Sequence, residues 1–318
     1  MPIEQQKEVK IISSPFVKQT LMPEYLLWPG RVEEFLAQLP REYMVDFVVT
    51  SPPYNIGKSY EKRTRLDDYL EWQKGIIAKI AEHVPENGNI CWQVGNYTEN
   101  GHIIPLDIEL HPIFRNLGFK LRNRIVWRFG HGLHGKRRFS GRYEMVLWYT
   151  RGENYTFNLD AVRIDSKYPS KRSYKGPNAG KISGHPLGKN PEDFWENIPE
   201  NFTDAWTNIP NVKGNHIEKT AHPCQFPVGL IERLILALTN KNDLVFDPFC
   251  GVGSTGVAAA LHKRKFIGCE IMPEYVEIAK KRIDDALAGA LRYRPHDKPL
   301  YDHKTSKLSI KPSPEDFE

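Results

Sequence analysis

Two short segments of this 318-residue chain carry side chains whose types and spacing could do chemistry. The first, Ser51-Pro52-Pro53-Tyr54, follows the apolar run Phe47-Val48-Val49. Ser51 Oγ and the Pro52 carbonyl are hydrogen-bond acceptors on a stiff turn, and neither adjacent proline has an N–H to compete for them. Such a pair can accept both N–H groups of an amine on a flat ring, freeing a lone pair otherwise delocalised into the ring. Tyr54 offers a face on which the ring can stack, and the two prolines favour a fixed orientation. Taken alone, the tetrapeptide also reads as a Pro-Pro turn that merely ends a strand.

The second segment is Asp247-Pro248-Phe249-Cys250-Gly251-Val252-Gly253. With Ser254 and Gly256 it continues into Gly-x-Gly-x-x-Gly, after a strand and before a helix. Glu270 lies 19 residues beyond the first glycine, where an acid can accept hydrogen bonds from ribose hydroxyls. The spacing admits a nicotinamide or flavin dinucleotide, S-adenosylmethionine, or a structural turn. Asp247 and Phe249 before the glycines suit a cofactor with an ammonium, an adenine and no pyrophosphate. A nicotinamide oxidoreductase would leave Ser51–Tyr54 without a role.

These segments need strands that end beside each other. Residues 44–50 and 89–94 read as buried strands, and 66–83 as a helix whose apolar pattern Gly75 interrupts. A helix over 107–117 stops at Gly118, and strands follow at 119–129 and 145–150. Periodicity dissolves over 152–215, and long irregular insertions in compact proteins are usually functional or disordered. It returns as a helix over 228–239, then a βαβα series: strand 244–246, helix 255–262, strand 265–269, helix 273–287. The expected organisation is an arm (1–25), a catalytic half (26–151), an insertion (152–215), a cofactor half (216–290) and a tail (291–318).

A hydrophobic content of 40% and a charged content of 26% are ordinary for a soluble globular chain. No apolar run reaches the roughly 18 residues that span a bilayer, and the N-terminus lacks a signal-peptide core; a cytoplasmic location is expected. Cys91, Cys224, Cys250 and Cys269 have no zinc-site spacing, and no metal is expected. The net charge of +5 hides an asymmetry, because residues 121–190 hold 15 Lys/Arg against 4 Asp/Glu. Phosphate backbone is the polyanion that such a segment would meet. Lys136, Arg137, Arg138 and Arg142 suit a loop that closes on it, and Arg163, Lys171, Arg172 and Lys175 continue the charge beside Tyr168 and Tyr174. His131 and His134 have no third ligand placed and read as loop histidines. A non-catalytic DNA-binding protein would fit the charge but not the cofactor loop.

Together with the turn His222-Pro223-Cys224-Gln225-Phe226-Pro227, the two segments resemble the amino-methyltransferases of restriction–modification systems. The order of catalytic tetrapeptide, basic insertion and cofactor loop is similar to their beta class, over about residues 44–283. The resemblance implies a Rossmann-like α/β fold, a mixed sheet with helices on both faces and a basic target-recognition insertion. It also implies S-adenosylmethionine as cofactor, double-stranded DNA as substrate, and a restriction endonuclease acting separately. Catalysis would fall to Ser51, Pro52, Pro53 and Tyr54. The cofactor would meet Asp247, Pro248, Phe249, Gly251, Gly253 and Ser254, with Glu270 on the ribose and Gln225, Phe226 and Pro227 near the methionine part. A Gly-Asp pair usual in the family is replaced by Trp28-Pro29-Gly30-Arg31, which leaves the adenine contact unassigned.

Serine in the first catalytic position marks cytosine-N4 methylation in this family, and that product is the expectation. Asn55-Ile56 after Tyr54 is more familiar beside the adenine-N6 motif, which is the alternative. Pro223-Cys224-Gln225 also occurs in carbon-5 cytosine methyltransferases, but their cysteine loop follows the cofactor loop and their Glu-Asn-Val is absent here. Cys224 is therefore expected to pack near the cofactor.

Overall fold

Continuous β-branched and aromatic runs become strands covered on both faces. In the computed structural model, which describes residues 22–58, 60–129, 134–196, 209–214 and 216–294, β2 (Phe47–Thr50), β3 (Asn89–Val94) and β9 (Leu244–Asp247) are buried at every position. They lie in an eight-stranded sheet of order β1-β10-β9-β2-β3-β7-β6-β8. Its other members are β1 (Tyr25–Pro29), β6 (Lys120–Arg128), β7 (Tyr143–Thr150), β8 (Phe194–Glu196) and β10 (Lys265–Glu270), while β4 (Asn96–Glu99) and β5 (His102–Pro105) pair as a separate ribbon. β7 runs antiparallel to both neighbours, and every other pairing is parallel.

Alternate side chains feed two apolar layers. Val48, Trp92 and Phe246 pack with Phe35 of α1 (Val32–Gln38), Ile77 of α2 (Leu66–Ala81) and Phe114 of α3 (Leu106–Asn116). Val49, Cys91 and Val245 face the opposite way. They meet Ile231 of α4 (Val228–Leu238), Val257 of α5 (Ser254–Leu261) and Ile283 of α6 (Pro273–Leu287). This is the expected α/β arrangement of a mixed sheet with helices on both faces. None of the described helices is long and apolar enough to cross a membrane.

From β9 the chain winds through α5 to β10 on one side, and from β2 through α2 to β3 on the other. The direction reverses between β9 and β2, and ligands of such sheets bind outside the carboxyl ends at that switch point. Thr50 ends β2 and Asp247 ends β9, so the fold sets the two chemical segments side by side.

Three expectations change. Residues 25–29 form β1 beside β10, so the stretch expected to open the catalytic half packs with the cofactor half. The arm's last residues are anchored, Met22 being buried with its carbonyl accepting from Lys265 Nζ. The described part of the insertion has local structure: Leu159–Ala161 forms a 3-10 turn, Ile164 bridges Lys189, Arg172 bridges Ile182, and β8 extends the sheet. Three-residue elements are too short to show a period in sequence. Most of the arm, the tail beyond 294 and His131 lie outside the described residues.

Candidate active site

Asp247 is 1% exposed at the switch point, beneath the cleft and not on its wall. Its Oδ1 accepts from Thr50 Oγ1 at 2.6 Å and from Phe249 N at 3.1 Å, and its Oδ2 from Thr255 Oγ1 at 2.5 Å. Burial raises its carboxyl to about 6 against those hydrogen bonds. The acid expected to line the cofactor therefore ties β2, β9 and α5 together and shapes the loop above.

That loop follows glycine logic at two positions. Gly251 has φ +50°, and a Cβ there would lie 3.3 Å from His222 Nε2. Gly253 has φ +75°, and its Cβ would fall 2.8 Å from the Ala279 Cβ, so it seats α5 against α6. Gly253 and Pro227 thus stand behind the cleft wall, while Pro248, Phe249, Gly251, Ser254, Gln225 and Phe226 line it. Ser254 Oγ donates to the Phe226 carbonyl at 2.8 Å, and Arg282 Nη1 reaches the Val252 carbonyl at 2.6 Å, bracing the loop. Gln225 bonds Thr220 and the Glu218 carbonyl, so its amide holds its own turn.

The cleft is about 720 Å³. At one end Glu270 lines it, its carboxyl raised by burial, with Oε1 accepting from Met272 N at 2.8 Å. Trp72 and Phe249 pair at 5.6 Å beside it, and Trp72 Nε1 donates to Glu33 at 2.8 Å. An acid at a strand end, an aromatic pair and a glycine-bearing turn fit the ribose and adenine of S-adenosylmethionine. Glu33 supplies an acid near the position where the family's Gly-Asp pair is missing. His222, stacked on Tyr60 at 5.4 Å, is driven down to about 4, mainly by burial and also by Lys219, and is neutral at pH 7.

At the other end stand Ser51, Pro52, Pro53 and Tyr54. Tyr69 hydroxyl donates to the Pro53 carbonyl at 2.8 Å and fixes the turn from α2. Ser51 Oγ lies 2.8 Å from Tyr54 hydroxyl, which reaches Glu144 Oε2 at 3.4 Å; Gln93 Nε2 donates to the same oxygen. Gly95 makes room, since a Cβ there would sit 3.1 Å from the Tyr54 ring. Trp127 and Phe129, paired at 5.1 Å, complete an aromatic wall. Asn55, in the left-handed region at φ 59°, has its amide bonded to the backbone of Thr64.

Sequence reasoning missed Glu144, Gln93, Trp127, Phe129, Trp72 and Glu33. Glu144 had one signal, as the only acid between 121 and 152. Cys224, expected to pack, is exposed on the cleft rim, because the His222–Pro227 turn carries it outward.

The basic residues divide. Lys136, Arg137 and Arg138 are exposed on the connection between β6 and β7, beside a fully exposed Phe139. Arg142, nearer the strand, donates to the Gly141 carbonyl. Phe129 N donates to the Arg142 carbonyl at 2.9 Å, so this connection rises from the aromatic wall. Lys171, Arg172 and Lys175 are exposed on the insertion. Arg163 differs from expectation: it bonds Asp160 at 2.6 Å and the Gly188 carbonyl at 3.1 Å, with its side chain 14% exposed, and pins the insertion. On β6, Arg122 pairs with Glu153 and Arg124 with Asp107, so part of the segment's charge is used internally.

A family model described as DNA methylase, of N6 and N4 type, matches residues 45–281. The Type II methyltransferase M.BglII of Bacillus subtilis is 45% identical over 269 residues, 84% of this chain and 70% of that protein. The DNA adenine methyltransferase YhdJ of Escherichia coli (strain K12) is 33% identical over 79% of this chain and 80% of its own. Among solved structures, the cytosine-N4-specific PvuII DNA methyltransferase superposes with a TM-score of 0.60 at 21% identity, over 84% of this chain and 95% of that one.

Proposed function

The chain belongs to the DNA methylase family of restriction–modification amino-methyltransferases, and from that premise we propose that it methylates cytosine N4 within a specific duplex sequence. The methyl donor of this enzyme is S-adenosylmethionine, whose sulfonium supplies an activated methyl group without metal or covalent catalysis. Ser51 at the head of the tetrapeptide carries the choice of base. The target amine is out of reach inside a duplex, and swinging the base out costs a few kcal/mol. Trp127, Phe129 and Tyr54 offer flat surfaces to receive it. Ser51 Oγ and the Pro52 carbonyl then accept the two N–H groups, which lets the nitrogen pyramidalise.

Adenine N6 is a second reading, favoured by the similarity to an adenine methyltransferase. Asn55 gives it no further support, because its amide is occupied by Thr64. Lys136, Arg137, Arg138, Lys171, Arg172 and Lys175 form the proposed phosphate-facing surface, and a separately acting endonuclease of the same specificity is the proposed partner. Mass spectrometry of nucleosides from duplex DNA treated with protein and S-adenosylmethionine tests the base: N4-methylcytosine is expected, and N6-methyladenine alone would overturn it.

A further inference from the structure

Glu144 is an ionisable group on the base side of the cleft to which the sequence motifs assign no task. Its Oε2 accepts from Gln93 Nε2 and from Tyr54 hydroxyl at 3.4 Å, and that hydroxyl lies 2.8 Å from Ser51 Oγ. The groups form one line from serine to carboxylate. A serine hydroxyl alone can donate or accept. An ionised carboxylate at the far end only accepts, so Tyr54 donates to Glu144 and Ser51 donates to Tyr54. Ser51 Oγ is left with lone pairs toward the cleft, the polarity an amine substrate requires. We propose that Glu144 sets this polarity and is the final proton acceptor of methyl transfer, acting through Tyr54 and Ser51.

The inference rests on the amino-methyltransferase reading. As the nitrogen lone pair forms the N–C bond, the S–C bond breaks and its electron pair returns to sulfur. The nitrogen then carries one proton in excess. That proton passes to Ser51 Oγ as the serine proton moves to Tyr54 and the tyrosine proton to Glu144. Serine and tyrosine end neutral, and Glu144 ends as a carboxylic acid.

The surroundings suit this task. Burial raises the Glu144 carboxyl to about 7, with Tyr54, Lys213 and Gln93 pulling the other way. A proton acceptor works best with a pKa near the working pH. Burial, and after it the Glu144 charge, holds the Tyr54 hydroxyl well above its ordinary value, so it relays a proton and stays neutral. The groups facing this line are Gln93 from β3, Lys213 from the insertion, Tyr69 from α2 and Cys224 from the turn before α4. Gln93 Oε1 is buried with no partner among the described residues, a further acceptor beside the line.

The acceptor must be ionised, so activity is lost as pH falls through about 7. The test is single-turnover methylation of duplex DNA across that range, with S-adenosylmethionine binding measured in parallel. Wild type should gain rate with pH and level off. Glu144→Gln and Tyr54→Phe should bind the cofactor normally, methylate about 10²–10³-fold more slowly at high pH, and lose the titration. Tyr54→Phe keeps the ring and cuts only the link, and it decides the matter should Glu144→Gln fail to fold. A folded variant of either kind within about threefold of wild type, or one that keeps the wild-type titration, overturns the relay. A purely structural Glu144 would alter DNA affinity or stability and leave the titration in place. A wild-type protein that methylates no base at any pH would overturn the amino-methyltransferase reading, and the relay with it.

Discussion

The two ends of the cleft are built on different terms. At the cofactor end the polar groups are satisfied by the protein itself: Asp247 by three hydrogen bonds, Ser254 by Phe226, Gln225 by its own turn. At the base end Gln93 Oε1 is buried without a partner among the described residues, and Ser51 Oγ is engaged from one side only. A buried unpaired acceptor costs about 1–3 kcal/mol. One end is finished before any ligand arrives; the other is completed by its substrate.

That contrast can be broken most severely at the cofactor end. Gly253→Ala sets a Cβ 2.8 Å from the Ala279 Cβ at a left-handed φ of +75°, where helix backbone cannot yield easily. We expect about 2–4 kcal/mol of lost stability, read as a lower Tm, and weakened cofactor binding in calorimetry. Unchanged values would show that α5 is not seated as described. At the base end, mutations should spare the cofactor and strike rate and DNA, as for Glu144→Gln. Further out, Arg137→Ala with Arg138→Ala should weaken DNA binding. The slope of log affinity against log salt should fall by about 1.8, since each phosphate contact carries about 0.9. An unchanged slope would remove that loop from the interface. The smallest effect is expected from Arg163→Ala, which should lower Tm slightly and leave the salt slope intact; a reduced slope would restore Arg163 to the DNA face.

The same contrast governs what could be read in the sequence. β2, β3, β9 and β10 were legible because strands covered on both faces are apolar almost throughout. The motifs at their ends follow directly, since chain direction fixes which end of a parallel strand carries the ligand. Asp247 was legible as important, but the hydrogen bonds that bury it beneath the cleft were not. Its neighbours in the chain do not reveal that Thr50, from another strand, shares its carboxylate. Glu144 and Gln93 were illegible for a related reason. They meet only because β7 runs antiparallel beside β3, with Gln93 opposite Val146, and no local pattern encodes that register. β8 was hidden by its shortness, β1 by an edge position that leaves none of its residues fully buried, and the paired arginines of β6 by a charge count that cannot see partners.

The most direct measurement compares wild type with Ser51→Ala on the same duplex DNA, by nucleoside mass spectrometry and cofactor calorimetry together. Wild type should yield N4-methylcytosine and Ser51→Ala none, with equal S-adenosylmethionine binding by both. Equal methylation by Ser51→Ala, or loss of cofactor binding along with the product, would contradict the division of the cleft into a finished end and a reacting one.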